Sequence, residues 1–313
     1  MKQTITIGTR GSQLALWQAE YVRKRLNDHF PDRSIELKVI KTTGDKIRDR
    51  SLVGLGKGVF TKEIEIALLD GTIDLAVHSM KDLPTDLPNG LCIAAIPVRE
   101  DPRDVLVTQS GQLLDQLPQG AKIGTTSPRR KSLLLHLRPD LQVVDVRGNL
   151  DTRLRKLHET ELDAVILAAA GIKRLMGEEI ITEYFEADRM VPAAGQGALG
   201  VEAREDDLEI KTLLDAINDS RSETEVFAER TVLQELGGGC QVPIGVNARL
   251  EDNRLHLVAT VCSPDGKHRL LERLLGCFES RPDRSSSAFA QELGINLAAK
   301  LIQSGAHKLQ SGT

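Results

Sequence analysis

Cys240 has the most pronounced chemical setting in the chain. It lies in Gly237-Gly238-Gly239-Cys240-Gln241-Val242-Pro243-Ile244-Gly245. The three glycines strip side chains from the approach to the sulfur and open backbone conformations closed to other residues, and Pro243 stiffens the far side. Thiol reactivity follows access and thiolate character. The loop therefore reads as an accessible, reactive thiol or as a glycine-rich turn around an inert cysteine. No histidine accompanies Cys240 in sequence, and no Ser/His/Asp order suggests a hydrolase triad. Cys92, Cys262 and Cys277 form no Cys-x-x-Cys pair with it or with each other, which argues against a zinc site and a disulfide framework.

A second group of candidates recurs after strand-like runs. Thr9-Arg10-Gly11-Ser12 follows the first, and Ser79, Lys81 and Asp82 follow 73–78. Thr125, Thr126, Ser127, Arg129 and Arg130 follow 122–124. Arg147, Gly148 and Asn149 follow 142–146, with Arg153 one helical turn on, and Lys173 and Arg174 follow 164–169. Ligands of open α/β sheets bind beyond the carboxyl ends of the strands. Guanidinium groups grip carboxylates and phosphates through paired hydrogen bonds. Cations and hydroxyls repeated at such ends, in a chain of net charge −4, imply a ligand with several anionic groups. No P-loop or clear dinucleotide fingerprint is present, so a polycarboxylate fits at least as well as a phosphate ester. Asp82 is the one carboxylate in this set. It either pairs with Lys81 or caps a turn, or it faces positive charge that develops during a reaction. Gly54-Leu55-Gly56-Lys57-Gly58-Val59-Phe60 reads as a mobile loop carrying Lys57 and Phe60 to the site, or as a plain surface loop. His78 ends an apolar strand and reads as a satisfied buried histidine.

These residues need a frame, and the pattern supplies one. Residues 4–8, 35–40, 73–78, 93–96, 105–108, 122–124, 142–146 and 164–169 read as strands. Helical runs at 14–26, 62–69, 130–137 and 152–157 alternate with them, the rhythm of α/β domains with mostly parallel sheets. Polar residues 98–104 form one link, and 191–200 are small and flexible enough for a hinge or a tight crossing, so two crossings suggest that the chain leaves a first domain, builds a second and returns. From about residue 220 the pattern changes. A helix at 223–235, strands at 246–250, 255–262 and 268–275 and a helix at 287–303 predict a small α+β domain with an antiparallel sheet. The expected domains are 1–98 with 198–217, 103–192 and 220–313. At 313 residues the chain suits two or three cores. No apolar run reaches the length of a membrane span, and a start that leads directly into the first strand predicts that no secretory signal is present. The global charge favours neither nucleic acid nor a membrane surface. The expectation is a cytoplasmic protein with reduced thiols.

Taken together, the motifs resemble the porphobilinogen deaminase (hydroxymethylbilane synthase) family from residue 5 to about 301. They are Thr9-Arg10-Gly11-Ser12-Gln13-Leu14-Ala15-Leu16-Trp17-Gln18-Ala19, Gly56-Lys57-Gly58-Val59-Phe60-Thr61-Lys62-Glu63 and Ala76-Val77-His78-Ser79-Met80-Lys81-Asp82-Leu83-Pro84. To these are added Glu100-Asp101-Pro102-Arg103-Asp104, Gly124-Thr125-Thr126-Ser127-Pro128-Arg129-Arg130, Arg147-Gly148-Asn149 and the cysteine loop. The resemblance implies two lobes like type II periplasmic binding proteins plus a small α+β C-terminal domain carrying the cysteine. It implies a transferase of tetrapyrrole biosynthesis. Such an enzyme condenses four porphobilinogen molecules head to tail with release of ammonia and frees hydroxymethylbilane by hydrolysis. A dipyrromethane cofactor, held at Cys240 by a thioether, would be the primer. By similarity, Ser12, Lys81, Asp82, Thr125, Ser127, Arg129, Arg130, Arg147, Arg153 and Gly171 would bind the cofactor. Arg10, Arg174, Lys57, Phe60, Ser79 and Gln196 would meet the substrate. Asp82 would contact pyrrole NH groups and stabilise the azafulvene-like cation. The implied partners are porphobilinogen and the growing chain, with no metal, nucleic acid or membrane, and the implied state is a monomer. Ser51-Leu52-Val53-Gly54-Leu55 departs from the family by lacking a lysine that some relatives place before the glycine-rich loop. Two other readings are a two-lobed anion-binding or sensing protein without turnover, which gives Asp82 and Cys240 no role, and a thiol enzyme, which lacks an identifiable base.

Overall fold

A computed structural model describes residues 2–46, 58–238, 242–278 and 286–310. Lys57 and Cys240 lie outside the described residues. The chain divides into two compact units, Met1–Glu100 with Ala198–Glu223, and Asp101–Gly197 with Thr224–Thr313.

The first unit holds strands β1 (Thr4–Thr9), β2 (Ser34–Val39), β3 (Leu75–Ser79) and β4 (Leu91–Ala95) and helices α1 (Gln13–His29), α2 (Thr43–Lys46) and α3 (Lys62–Leu69). The returning chain adds β10 (Leu199–Arg204) and α7 (Leu208–Asp215). Ser12 starts α1 because its hydroxyl accepts from the Ala15 amide. Ala15, Ala19, Val22 and Leu26 then form the buried stripe of that helix. The sheet order is β2-β1-β3-β10-β4, with β10 antiparallel to both neighbours. Ile5, Ile7, Leu75, Val77 and Val201 centre its core.

The second unit holds β5 (Asp104–Thr108), β6 (Lys122–Gly124), β7 (Gln142–Val144), β8 (Ala164–Ala168) and β9 (Glu183–Tyr184). Its helices are α4 (Pro128–Leu137), α5 (Leu150–Glu159) and α6 (Ala169–Leu175). The order β7-β6-β8-β5-β9, with β5 antiparallel to β8 and β9, repeats that of the first sheet. Helix α4 starts with Ser127 accepting from the Arg130 amide and Pro128 in its first turn, where a missing N–H costs nothing. Two apolar clusters pack against the sheet, one around Ile123, Leu133 and Ile166, the other around Val107, Val165 and Leu167.

Helix α8 (Ser220–Glu235) leads into an antiparallel sheet of β11 (Ile244–Glu251), β12 (Arg254–Cys262) and β13 (Arg269–Cys277), backed by α9 (Ser286–Gln303) and α10 (Ala306–Gln310). Ile244, Val246 and Ala248 on β11 and Leu255, Leu257, Ala259 and Val261 on β12 join the apolar core at the two-residue period of a strand, and Gly245, Asn247, Thr260 and Cys262 beside them are buried as well. Asp252 and Asn253 both take positive φ in the first hairpin, the geometry of a tight two-residue turn.

The second hairpin touches α4. His136 Nδ1 lies 3.0 Å from the Gly266 carbonyl oxygen. Gly266 has φ +75, and a Cβ there would sit 2.6 Å from the Ser132 carbonyl oxygen and 2.7 Å from the His136 nitrogen. Both obstacles are helix backbone and cannot swing aside. Gly266→Ala is therefore expected to cost at least about 2 kcal/mol from left-handed strain and overpacking. An unchanged urea midpoint would contradict this packing.

The strand and helix expectations hold with shifts of a few residues. The segment 191–200, expected as a hinge or tight crossing, is a crossing in which Val191, Gln196 and Ala198 are buried and from which β10 begins at Leu199.

Candidate functional site

In each α/β sheet three adjacent parallel strands end at the same edge, β1 and β3 beside β2 in the first and β6, β7 and β8 in the second. The antiparallel strand of each sheet begins at that edge. Asp104 opens β5 opposite Ala168, the last residue of β8, and Leu199 opens β10 opposite Ser79, the last of β3. Residues that precede these strands therefore share the edge with residues that follow the parallel ones.

At the edge of the first sheet, Arg10 Nη2 binds Asp45 Oδ1 at 2.5 Å, and its guanidinium carbon lies 4.1 Å from the centre of the Phe60 ring. Thr42 also donates its hydroxyl to Asp45. Burial pushes the Asp45 carboxyl up, but Arg10 and Thr42 outweigh burial and hold it below the ordinary carboxylate range. Asp45 thus fixes Arg10 beneath Phe60, a role sequence reasoning missed. Gln18, buried on α1, donates to Ser79 Oγ at 2.8 Å and orients the end of β3. The next residues, Met80–Asp82, form a single 3-10 turn anchored by fully buried Met80, whose amide donates to the Ala198 carbonyl. Lys81 is half-buried and Asp82 is exposed. Among the described residues no group hydrogen-bonds or ion-pairs with the Asp82 carboxylate, so it neither pairs with Lys81 nor caps the turn.

His78 lies buried beneath this edge with Nε2 3.1 Å from Glu202 Oε2. Among the described residues, Glu202 Oε1 and Glu65 Oε1 are buried without hydrogen-bond partners. Burial raises the Glu65 pKa, and Glu202 adds to the shift, against pulls from Thr61 and His78. A carboxyl whose folded pKa is raised stabilises the fold below its unfolded pKa and loses that contribution as pH rises through the folded value. Glu65→Gln should therefore gain thermal stability over wild type as pH rises above the ordinary glutamate value near about 4, the two converging in acid. A difference independent of pH would show that Glu65 does not titrate in this range.

At the edge of the second sheet the charges are internal. Asp104 is fully buried. Its Oδ2 accepts from Arg129 Nη1 at 2.5 Å. Its Oδ1 accepts from Arg130 Nε and Nη2 at 2.9 and 2.7 Å and from Gln196 Nε2 at 2.9 Å. Burial pushes the Asp104 carboxyl up, yet Arg129 and Arg130 together hold it far below the carboxylate range. Arg130 also donates to the Ile166 carbonyl. Arg129 donates to the Val191 carbonyl at 2.8 Å, and among the described residues its hydrogen bonds all run from Nη1. Buried Thr125 accepts from the Ser127 amide through Oγ1. Arg147 ends the β7 connection half-buried, and Arg153 Nε donates to the Gly148 carbonyl. On α6, Gly171 is buried, with its nearest neighbour Leu150 4.0 Å from where a Cβ would stand. Arg174 Nη2 donates to the Gly197 carbonyl at 2.7 Å.

The edges thus collect Arg10, Ser12, Phe60, Ser79, Lys81 and Asp82 in one unit and Thr125, Ser127, Arg129, Arg130, Arg147, Arg153, Gly171, Arg174 and Gln196 in the other. Asp104 and Asp45 are the carboxylates that hold the arginines, and neither stood out as a separate signal in sequence. Burial pushes the Cys92 and Cys262 thiols up, which disfavours thiolate at both. Among the described residues no group of three His, Cys, Asp or Glu side chains could hold a metal ion.

Residues 5–212 match the family model described as porphobilinogen deaminase, dipyromethane cofactor binding domain, and residues 223–303 match porphobilinogen deaminase, C-terminal domain. The chain belongs to the porphobilinogen deaminase family. It is 52% identical over 304 residues to the porphobilinogen deaminase of Syntrophomonas wolfei, covering 97% of this chain and 96% of that one. It is 48% identical over 310 residues to that of Chloroherpeton thalassium, covering 99% and 97%. With the porphobilinogen deaminase of Geobacter sulfurreducens it shares 47% over 306 residues, covering 97% and 93%. Among solved structures, the periplasmic VFT2 domain of Bordetella pertussis BvgS aligns with a TM-score of 0.42 at 14% identity, over 69% of this chain and 86% of that one. The two family models together take in every candidate residue of both sheet edges, and the gap between them, 213–222, holds none.

The residues present fit the dipyrromethane group that this family binds. Such a group carries carboxylates and pyrrole NH donors. Guanidinium groups and hydroxyls of the second sheet edge suit those carboxylates.

Proposed function

We propose that this transferase carries a dipyrromethane primer on Cys240 through a thioether. On that primer it condenses four porphobilinogen molecules head to tail, with loss of ammonia, and releases hydroxymethylbilane by hydrolysis. The observation that carries the reading is the exposed Asp82 carboxylate beside Lys81, within a chain matched by both family models.

When bound, the primer supplies a nucleophilic pyrrole carbon. The chain's own residues do the rest. Thr125, Ser127, Arg129, Arg130, Arg147, Arg153, Lys81 and Ser12 bind carboxylates of the primer, and buried Gly171 leaves room for its ring. Asp104 keeps Arg129 and Arg130 charged and oriented at the edge of their sheet. Arg10 and Arg174 take the carboxylates of the incoming porphobilinogen, assisted by Ser79, Gln196 and Lys57, with Phe60 over Arg10. Asp82 accepts from pyrrole NH groups and stabilises the positive charge that grows as the amine leaves. It also exchanges a proton with the leaving group. In this reading residues 220–313 act as a cysteine-carrying domain beside lobes 1–98 with 198–217 and 103–192, in a cytoplasmic monomer. No described helix is long and apolar enough to cross a membrane.

Intact mass of the purified protein, followed by peptide mapping, tests the reading. The expected result is an added mass of two linked pyrrole units on the peptide containing Cys240, with further pyrrole units during turnover of porphobilinogen. A bare chain that stays bare after incubation with porphobilinogen would overturn it.

A further inference from the structure

Glu229 is a fully buried carboxylate on α8 to which neither the mechanism nor the sequence reading gives a role. Its Oε2 accepts from the Gly195 amide at 2.6 Å. Its Oε1 accepts from the Ala248 amide at 2.7 Å and from Asn247 Nδ2 at 3.3 Å, both on β11. It therefore joins α8, β11 and the crossing segment 191–197 at one point. Gly195 has φ +72, a conformation that favours glycine, so the turn presenting its amide is built into the sequence.

The same crossing segment is tied to the arginine pair from its other side. Arg129 Nη1 donates to the Val191 carbonyl, and Gln196 donates to both Asp104 and the Pro102 carbonyl. Beyond Glu229, the segment meets β11 twice more. The Val246 amide donates to the Pro192 carbonyl at 2.8 Å. Gly245 approaches so closely that a Cβ would lie 2.5 Å from the Val191 carbonyl oxygen. Ala194 packs into the apolar core of the C-terminal sheet. In sequence, α8 and β11 are the two elements that flank the cysteine loop.

We propose that Glu229, acting through the 191–197 segment, is a positioning residue that sets the elements flanking Cys240 in register with Arg129 and Arg130 before the cofactor is attached. The inference rests on the assignment of Cys240 as the attachment point and of the arginines as cofactor ligands. Short charge-assisted bonds from a buried carboxylate to two amides are strong and directional. Replacing one oxygen by an NH₂ group sets a donor against a donor.

The test uses full-length protein produced without a porphobilinogen supply. Cofactor gain after adding porphobilinogen is followed by intact mass for wild type, Glu229→Gln and Leu301→Ala. Leu301 is a fully buried core residue of α9 and controls for lost stability alone. Glu229→Gln is expected to gain the two-pyrrole mass about 10–100-fold more slowly than Leu301→Ala at temperatures equally far below their midpoints. Equal rates would overturn the proposal. Hydrogen exchange of the wild-type apoprotein gives a second reading that needs no variant. Protection of the Gly195 and Ala248 amides before porphobilinogen is added supports pre-positioning, and protection that arises only on loading overturns it. If wild type gains no pyrrole mass, the attachment reading fails instead, a result distinct from a slow variant beside a normal wild type.

Discussion

Asp82→Asn is expected to retain the covalent primer yet lose about 10²–10⁴-fold in turnover of porphobilinogen. The size follows from where the residue stands. It ends a 3-10 turn whose first residue, Met80, is fully buried and whose entry is fixed by the hydrogen bond between Gln18 and Ser79. The carboxylate is thus presented by a rigid base without a partner among the described residues. Asparagine keeps the shape and one acceptor but removes the charge that answers the developing cation, and it cannot carry a proton. The loss should fall on kcat far more than on KM, because the interaction strengthens only as the amine leaves. Steady-state kinetics with intact mass on the same sample make the check. A primed variant with near-normal kcat would remove Asp82 from the mechanism.

Asp104→Asn should be the most damaging single substitution for the fold of the second unit, at about 3–5 kcal/mol. The wild-type carboxylate is completely buried and serves two guanidinium groups that are themselves about 95% buried. Asparagine leaves two positive charges side by side without an answering negative one, and it turns an NH₂ toward an N–H donor. Urea midpoints with unchanged slope would measure the loss. The pH dependence has a definite sign. Because the folded pKa of Asp104 is depressed, its contribution is complete above the ordinary aspartate value near about 4 and disappears as pH falls below it. The gap between wild type and variant should hold from neutrality to mild acid and close only in strong acid. A cost under about 1 kcal/mol at neutral pH, the size of a surface ion pair, would mean that the buried network does not anchor the arginines.

Much of this was legible without coordinates, because the signals are local. The period of apolar residues placed α1, α3, α4 and the three C-terminal strands within a few residues. Residues following parallel strands, such as Arg10, Asp82, Arg129, Arg147 and Arg174, could be collected because the strand-end rule reads forward along the chain. The same rule hides Asp104 and Gln196. They precede antiparallel strands or lie in a crossing segment, and they reach the edge only because β5 and β10 run backwards through their sheets. Orientation within a sheet depends on which strands meet, and local pattern does not encode it. The shared strand order of the two sheets was equally invisible, since no sequence repeat accompanies it.

The sequence by itself determined the kind of chemistry. It named the family through ordered motifs, set the glycine-framed Cys240 apart, and selected cations and one carboxylate suited to a polycarboxylate that passes through a cation. Only the tertiary structure decided how those charges are kept. It paired Arg129 and Arg130 with a carboxylate some 25 positions earlier, set Arg10 on Asp45 under Phe60, and left Asp82 without a partner among the described residues. The reason is physical. Residue type sets what a side chain can do, whereas burial and partners set its charge state and freedom, and both are products of contacts between distant parts of the chain.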